Sequence, residues 1–371
     1  MVPYVKQLTR VLSERLGWNR ARLKLMARLM RALPIQTTTN LAQLAQVMKP
    51  QVETDSTYRR LQRFFAGFAL SYEALGQFLL ELVPTDPPYV AAQGRTEWHF
   101  GQTAVNVLMI GVAYNGIAFP IAWTALEHGG GSGADEHAEV LDQFLRVVEP
   151  DQIRALVADR EFTGSDFLEE LKERKGPFVI RLKSDRRVGP SSKEWSLPAR
   201  MFARTCGLQH GLQQSSLLGG RQVVGGAESV EVQVGLKRLE DGSLLILASR
   251  GIDADSMFEL YRQRWDIETL FAALKSRGFD LEETHLTEPD RIRKLLGVLA
   301  LTYSWTRIVG LDRKRREGPP RECANGYPEK SLFRYGLDRL KELLTNWYRM
   351  QEELSRYAQA LAYPQSFLSC S

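Results

Sequence analysis

The stretch Tyr261-Arg-Gln-Arg-Trp-Asp-Ile-Glu-Thr-Leu-Phe-Ala-Ala-Leu-Lys275 has no glycine or proline and is rich in helix-forming residues, so it predicts one helix. At about 100° per residue, four polar side chains share one narrow face of that helix: Tyr261, Arg264, Glu268 and Lys275. A separate apolar sector is expected to face a core. Two interpretations are open: a solvated face with an ion pair between Arg264 and Glu268, or a carboxylate metal ligand beside cations that hold phosphate.

The composition is that of an ordinary globular protein with two or three domains. The 371 residues are 44% hydrophobic and 25% charged, with a net charge of +5 and a pI near 9.0. This mildly basic balance is compatible with a nucleic-acid partner. The three cysteines lie far apart and predict neither a disulfide framework nor a zinc site. Because no signal peptide and no apolar run of membrane-spanning length is evident, we expect a cytoplasmic protein with no membrane partner.

Residues 1–85 are predicted to be a helical DNA-binding region. A short amphipathic helix at 41–48 is followed by a second helix at 57–65, which carries Arg59, Arg60 and Arg63. Two short helices joined by a turn predict a helix-turn-helix-like DNA reader. A small helical bundle with a basic solvated face explains this segment equally well.

Residues 86–184 change to strands and alternating helices. Asn115-Gly116 between two apolar runs predicts a hairpin, and with the preceding strand an antiparallel meander. Helix, strand, helix and strand follow, and the strand at 153–158 stops at Asp159. This order is that of an RNase H-like core. The Gly-rich loop 127–135 lacks phosphate-binding spacing, so we interpret it as a flexible connector whose flanking His128 and His137 are exposed.

The rest of the chain interrupts and then completes this core. Residues 185–250 alternate with period two and predict a β-rich insertion, and residues 251–310 form the second part of the core with the signature helix. Residues 311–371 are predicted to be a basic helical C-terminal region that begins with a linker from Asp312 to Pro328. The expected fold class is α/β: an RNase H-like mixed-sheet core with a β-rich insertion and helical N- and C-terminal regions.

Two carboxylates occupy positions that suit phosphoryl transfer. This reaction on DNA commonly uses two divalent metal ions held by carboxylates. In an RNase H-like core these come from the first strand, from the end of the fourth strand and from a later helix. Asp159 fits the second position and Glu268 the third, although an aspartate at a strand end is often a turn cap.

Together the motifs resemble the DDE-type transposases of bacterial insertion sequences, in the branch with a Tyr-Arg-Glu-Lys signature. The spacing of the four signature residues matches at every position. The segment 159–162 is similar to the motif around the second catalytic aspartate, and segments 58–65 and 331–337 resemble the N- and C-terminal segments of the family. The first-strand motif is matched by Arg95, Thr96, Trp98, Phe100 and Gly101.

The resemblance implies a transposase that binds terminal inverted repeats and cuts and joins DNA by two-metal phosphoryl transfer with Mg²⁺ or Mn²⁺. Asp159 and Glu268 would be catalytic metal ligands. The implied DNA-binding residues are Tyr261, Arg264, Lys275, Arg59, Arg60 and Arg63. The partners would be double-stranded DNA, at transposon ends and target, and a second copy of the chain when synapsed on DNA. Such a protein would associate with the bacterial nucleoid.

Relatives in this branch cut through a hairpin intermediate, which needs a flipped base stacked on an aromatic ring. Trp195 in the insertion is a candidate for that ring. A buried structural tryptophan is the alternative.

Position 94 departs from the family pattern, in which the first catalytic aspartate immediately precedes Arg-Thr. This position is Gly94. Neither Asp86 nor Glu97 replaces it, since Glu97 would point to the opposite face of an unbroken strand. Because Mg²⁺ needs oxygen ligands, we expect cleavage to be impaired by roughly a thousandfold or more. The alternative is a catalytically inactive DNA-binding protein, a degenerate or repurposed transposase; a plain nuclease on the same core would leave the flanking motifs unexplained.

Overall fold

The structure is a computed structural model that describes residues 3–48, 54–190, 196–205, 215–217, 222–225, 229–324, 326, 328–364 and 367. Trp195 lies outside these residues, as does the turn between the two predicted reader helices. The N-terminal region is helical, as predicted. Its helices are α1 (Pro3–Leu16), α2 (Arg20–Gln36), α3 (Leu41–Met48), α4 (Thr54–Gly67) and α5 (Tyr72–Glu81).

The core sheet has the strand order expected of an RNase H-like fold. Its first part comprises β1 (Tyr89–Phe100), β2 (Thr103–Tyr114), β3 (Ile117–Leu126), α6 (Ala134–Leu145), β4 (Ile153–Ala158), α7 (Ser165–Glu173) and β5 (Phe178–Arg181). The spatial order is β3-β2-β1-β4-β5. The meander β1-β2-β3 is antiparallel, whereas β4 pairs parallel with both β1 and β5. Asn115 and Gly116 adopt φ of 49° and 79°, which is the conformation that an Asn-Gly hairpin requires.

The β-rich insertion extends the same sheet. Its elements are β6 (Arg187–Pro190), β7 (Leu197–Pro198), α8 (Phe202–Thr205), β8 (Ser215–Leu217), β9 (Gln222–Gly225), β10 (Ser229–Arg238) and β11 (Leu244–Arg250). Strand β11 pairs antiparallel with β5, and β10 pairs with β11. The insertion is therefore continuous with the core, and residues of β10 lie close to the end of β5.

The signature stretch forms two helices, α9 (Met257–Arg262) and α10 (Trp265–Leu274), so the prediction of one helix is wrong. The chain tightens between them: the Arg264 amide donates to the Tyr261 carbonyl, and the Ile267 amide to the Arg264 carbonyl. Asp266 is buried there and accepts backbone hydrogen bonds from the β2–β3 turn. These tertiary contacts outweigh the propensity for one continuous helix.

The last helices are α11 (Pro289–Glu317), α12 (Leu332–Thr345) and α13 (Gln351–Ala360). The predicted linker beginning at Asp312 is wrong in its first part, because α11 continues to Glu317. Asp312 is fully buried and accepts hydrogen bonds from Arg315, Arg356 and Tyr357, which tie the end of α11 to α13. Within the described residues, no helix has both the length and the apolar character needed to cross a lipid bilayer.

Candidate active site

Strands β1 and β4 bring Gly94 alongside Asp159. The two strands are parallel and pair Gln93 with Ala158, so the next residue of each strand follows side by side. Neighbouring residues in such a register direct their Cβ atoms to the same face of the sheet. Asp159 caps the turn after β4, where its Oδ1 accepts a hydrogen bond from the Arg160 amide at 2.7 Å. The strand-end carboxylate therefore has a glycine as its neighbour on the first strand.

Helix α10 packs directly over Gly94. An ideal Cβ on this glycine would lie 2.8 Å from Ile267 Cγ2 and 3.1 Å from Phe271 Cε2. A side chain at position 94 therefore requires Ile267 to move. Glu268 follows Ile267 in the helix, and its side chain is 44% exposed. Apolar groups thus occupy the space that a first-strand carboxylate would enter.

The remaining signature residues surround the start of α10. Arg264 Nη1 donates to Glu268 Oε1 at 3.0 Å, and its guanidinium lies 4.3 Å from the Trp265 ring centroid. Tyr261 is buried, and burial followed by the charge of Asp159 raises its pKa to about 12. Because Tyr261 and Arg264 are both about 95% buried, a solvated ion-paired face does not describe this part of the signature.

Lys275 lies at the opposite end of α10, against β1. Its Nζ is 2.6 Å from Glu282 Oε1, 3.4 Å from Thr96 Oγ1 and 3.3 Å from the Glu97 carbonyl oxygen. The ammonium also lies 5.8 Å from the Trp98 ring centroid. The lysine is therefore beside residues 96–98 of β1, just beyond Gly94 along the strand, and is neutralised by a carboxylate.

The carboxylates on the opposite face of β1 do not take the place of an aspartate at position 94. Glu97 Oε2 accepts hydrogen bonds from Arg95 Nη1 at 2.9 Å and from the Gly130 amide at 3.1 Å. The hydrogen bond from Arg95 holds the pKa of Glu97 below its ordinary range. Arg95 also pairs with Glu161. Since strand residues alternate between faces, this cluster lies behind the sheet from Gly94 and α10.

The Gly-rich loop is anchored to that cluster. Ser132 Oγ lies 2.7 Å from His137 Nε2 and donates to Glu161 Oε1 at 2.9 Å. His137 is 3% exposed, with its ring 4.6 Å from Phe162 and 5.1 Å from Phe167. Burial lowers the pKa of His137 to about 4. The expectation of an exposed histidine beside a flexible connector is thus wrong for His137.

A cleft of about 770 Å³ adjoins Tyr261 and Arg264. It is also lined by cationic side chains that were not predicted from the sequence as site residues. Arg181 comes from β5 and Lys237 from β10, and Trp265 at its rim is 63% exposed. The place of Arg181 at the carboxyl end of a parallel strand was a usable sequence signal, because ligands bind there in α/β sheets. Lys237 had no such signal, since its location depends on the insertion joining the sheet.

The three arginines predicted to bind DNA lie on another element, α4. Arg59, Arg60 and Arg63 are exposed, while Leu61 and Phe65 on the other side of the helix are buried. Arg63 Nε donates to the Arg59 carbonyl. None of the three forms an ion pair within the part of the chain that the structure describes. Helices α3 and α4 pack together, which both interpretations of this segment require.

The carboxylates that the structure describes do not make a complete site for two divalent metal ions. Among the described residues, no group of three or more His, Cys, Asp or Glu side chains is arranged to hold a metal ion. Glu268 is engaged by Arg264, Asp159 by a backbone amide, and Gly94 supplies no ligand. A two-metal site requires carboxylates that bridge or share the ions, so the donor set does not fit and no metal-dependent step is assigned to this chain.

Comparison with known proteins identifies the core. The family model of the Transposase DDE domain matches residues 82–305. No curated protein matches the chain. The matched range contains Gly94, Asp159 and Glu268, covers more than half of the sequence and coincides with the RNase H-like sheet and its helices. DDE transposases generally use divalent metal ions such as Mg²⁺. The chain belongs to the DDE transposase domain family.

Proposed function

We propose that this protein is an insertion-sequence transposase by descent that binds double-stranded DNA at terminal inverted repeats and cleaves it poorly or not at all. The observation that carries the proposal is the environment of Gly94. It lies next to Asp159 on the face that α10 covers, and Ile267 and Phe271 fill the adjoining space. The family scaffold is retained, while its first-strand carboxylate is absent.

DNA binding is supported by cations around the remaining carboxylates. Arg264 has a planar guanidinium that suits a phosphate, and Arg181 and Lys237 line the cleft beside it. Lys275 would contact a phosphate once its ammonium group has released the Glu282 carboxylate. Exposed arginines on α4 would contact the inverted repeat. Two copies would meet when two transposon ends are synapsed.

The loss in rate follows from the loss of a shared ligand. Roughly 4 kcal/mol of lost transition-state stabilisation corresponds to about a thousandfold in rate. Binding does not need the same carboxylate, because cations alone hold the phosphate backbone. Cleavage and binding are therefore expected to separate in this protein.

The test compares cleavage of a duplex carrying the transposon end, with Mg²⁺ and with Mn²⁺, by the wild type and two restored variants. Gly94→Asp alone is expected to restore little activity, because its Cβ would meet Ile267 at 2.8 Å. Gly94→Asp combined with Ile267→Ala makes room and is expected to restore more. Asp159→Asn in the restored background is the matched control and should abolish the recovered activity.

Efficient cleavage by the wild type that Asp159→Asn abolishes would refute the impairment. The second candidate function, an inactive DNA-binding protein, is favoured by the incomplete donor set among the described residues. It predicts that the Gly94→Asp/Ile267→Ala variant binds DNA as the wild type does and still fails to cleave. Weak cleavage by the wild type itself that Asp159→Asn abolishes would exclude the second candidate.

A further inference from the structure

A groove between α1 and α2 is lined by cations. Lys6 and Arg10 project from α1, and Arg20 and Lys24 from α2. The rest of the lining is Gln7, Thr9, Ser13 and Ala21, so none of the described lining residues is a carboxylate. Its volume is about 950 Å³. The neighbouring Glu14 lies 3.7 Å from Arg10, and both are well exposed, which makes that pair a weak competitor for the arginine.

The positive surface continues from the groove to α4. Arg20, Lys24 and Arg28 follow one another at four-residue spacing and therefore share one face of α2. Burial, and then the positive charge of Arg60 on α4, lowers the pKa of Arg28. The two cations therefore lie near enough to repel each other. Arg28 thus connects the groove to the exposed arginines of α4.

The dimensions suit a nucleic-acid backbone. Arg20 and Arg28 are eight residues apart, which is about 12 Å along a helix axis. One strand of duplex DNA presents a phosphate every ~3.4 Å of its axis, so α2 alone spans about three or four phosphates. A compact anion such as free phosphate would engage a small part of this surface, whereas a polyanion can engage all of it.

We infer that Lys6, Arg10, Arg20, Lys24, Arg28 and Arg60 form one continuous strip that binds the DNA backbone. The inference rests on the proposed DNA-binding function and extends it. Contacts in the α1–α2 groove would supply the part of the DNA affinity that does not depend on the base sequence. The exposed face of α4 is left to contact the bases or the adjoining phosphates. In this arrangement α4 does not act as an isolated reader, because α2 holds the duplex next to it.

The test measures duplex binding as a function of salt for the full-length protein. Arg20→Gln/Lys24→Gln removes two charges from the groove, and Lys314→Gln/Lys341→Gln removes two exposed charges from the C-terminal helices as the matched control. Each phosphate contact contributes about 0.9 to the slope of log K against log salt. The groove variant should therefore lose about two units of slope and roughly 50-fold in affinity near 0.1 M salt. The loss should be equal for end-bearing and random duplexes.

The outcomes separate this inference from the proposed function. If the wild type binds neither duplex, the proposed function itself fails. If the wild type binds and the groove variant keeps the slope and affinity of the control, the strip is refuted and the proposed function stands. Thermal melting verifies that both variants are folded. If the first variant melts early, the measurement is repeated with Lys6→Gln/Arg10→Gln, which removes two charges from the opposite wall of the groove. A salt dependence equal to that of the wild type in this second variant also overturns the inference.

Discussion

Replacing His137 with phenylalanine is expected to remove an acid-induced loss of stability. Burial lowers the pKa of His137 from 6.5 to about 4. Between these values the unfolded chain carries a proton that the folded chain lacks, so stability is complete above the unfolded pKa and falls as the pH drops. The ring is 3% exposed, so solvent screens it little. Each pH unit costs about 1.4 kcal/mol, and acidification from about pH 7 to about pH 4.5 should cost about 2.5 kcal/mol through this ring.

The phenylalanine variant suits this comparison because the substituted ring still packs against Phe162 and Phe167, and Ser132 still donates to Glu161. Urea unfolding of both proteins at the two pH values measures the free energies of unfolding. Asp266, whose pKa burial raises to about 6, has the opposite pH dependence. This contribution is common to both proteins and cancels in the difference. If wild type and variant lose the same stability on acidification, the buried neutral histidine is refuted.

Further substitutions test packing, a buried carboxylate and a competing ion pair. Gly336→Ala should lower the free energy of unfolding by about 3 kcal/mol, because an added Cβ would lie 2.1 Å from a carbonyl oxygen of α11. Gly67→Ala is the control: its Cβ meets nothing within 4 Å, so this variant should melt like the wild type. Asp312→Asn should cost about 2 kcal/mol in the same melts, since the carboxylate is fully buried among its donors; an unchanged melting temperature contradicts this. Glu282→Gln should free Lys275 and steepen the salt dependence of duplex binding by about one phosphate contact, and an unchanged slope would show that this lysine does not reach DNA.

The core strands were predictable because their signals are local. Asn115-Gly116 specifies a hairpin, and the apolar run that ends at Asp159 specifies a buried strand with a polar cap. The break before α10 and the length of α11 have distant causes. Asp266 is held by a turn about 150 residues earlier in the chain, and Asp312 by a helix about 40 residues later. Helix propensity contains no information about either contact.

The sequence predicts candidate carboxylates for the site, but it does not predict how the site is packed. The end of an apolar strand and the polar face of a later helix point to Asp159 and Glu268, whose role as metal ligands stays a prediction. The apolar sector of the signature helix predicted a buried face, but the residue beneath it is known only from the structure, which places Ile267 over Gly94. The same limit applies to Lys237 of β10, which lines the cleft with Arg181 only because the insertion joins the sheet.

We expect the glycine at position 94 to affect DNA cleavage and DNA binding in opposite directions. An aspartate there would add a negative charge beside Asp159, which the metal ions of an intact relative offset. Within the described residues neither a first-strand aspartate beside Asp159 nor a complete ligand set is present, while Arg264, Arg181 and Lys237 line the cleft. The local field is therefore more favourable to a phosphate than in a copy with the aspartate and no metal. If the proposed function holds, such a protein would bind a transposon end and cleave it poorly or not at all, and Gly94 would both weaken the cleavage and prolong the complex.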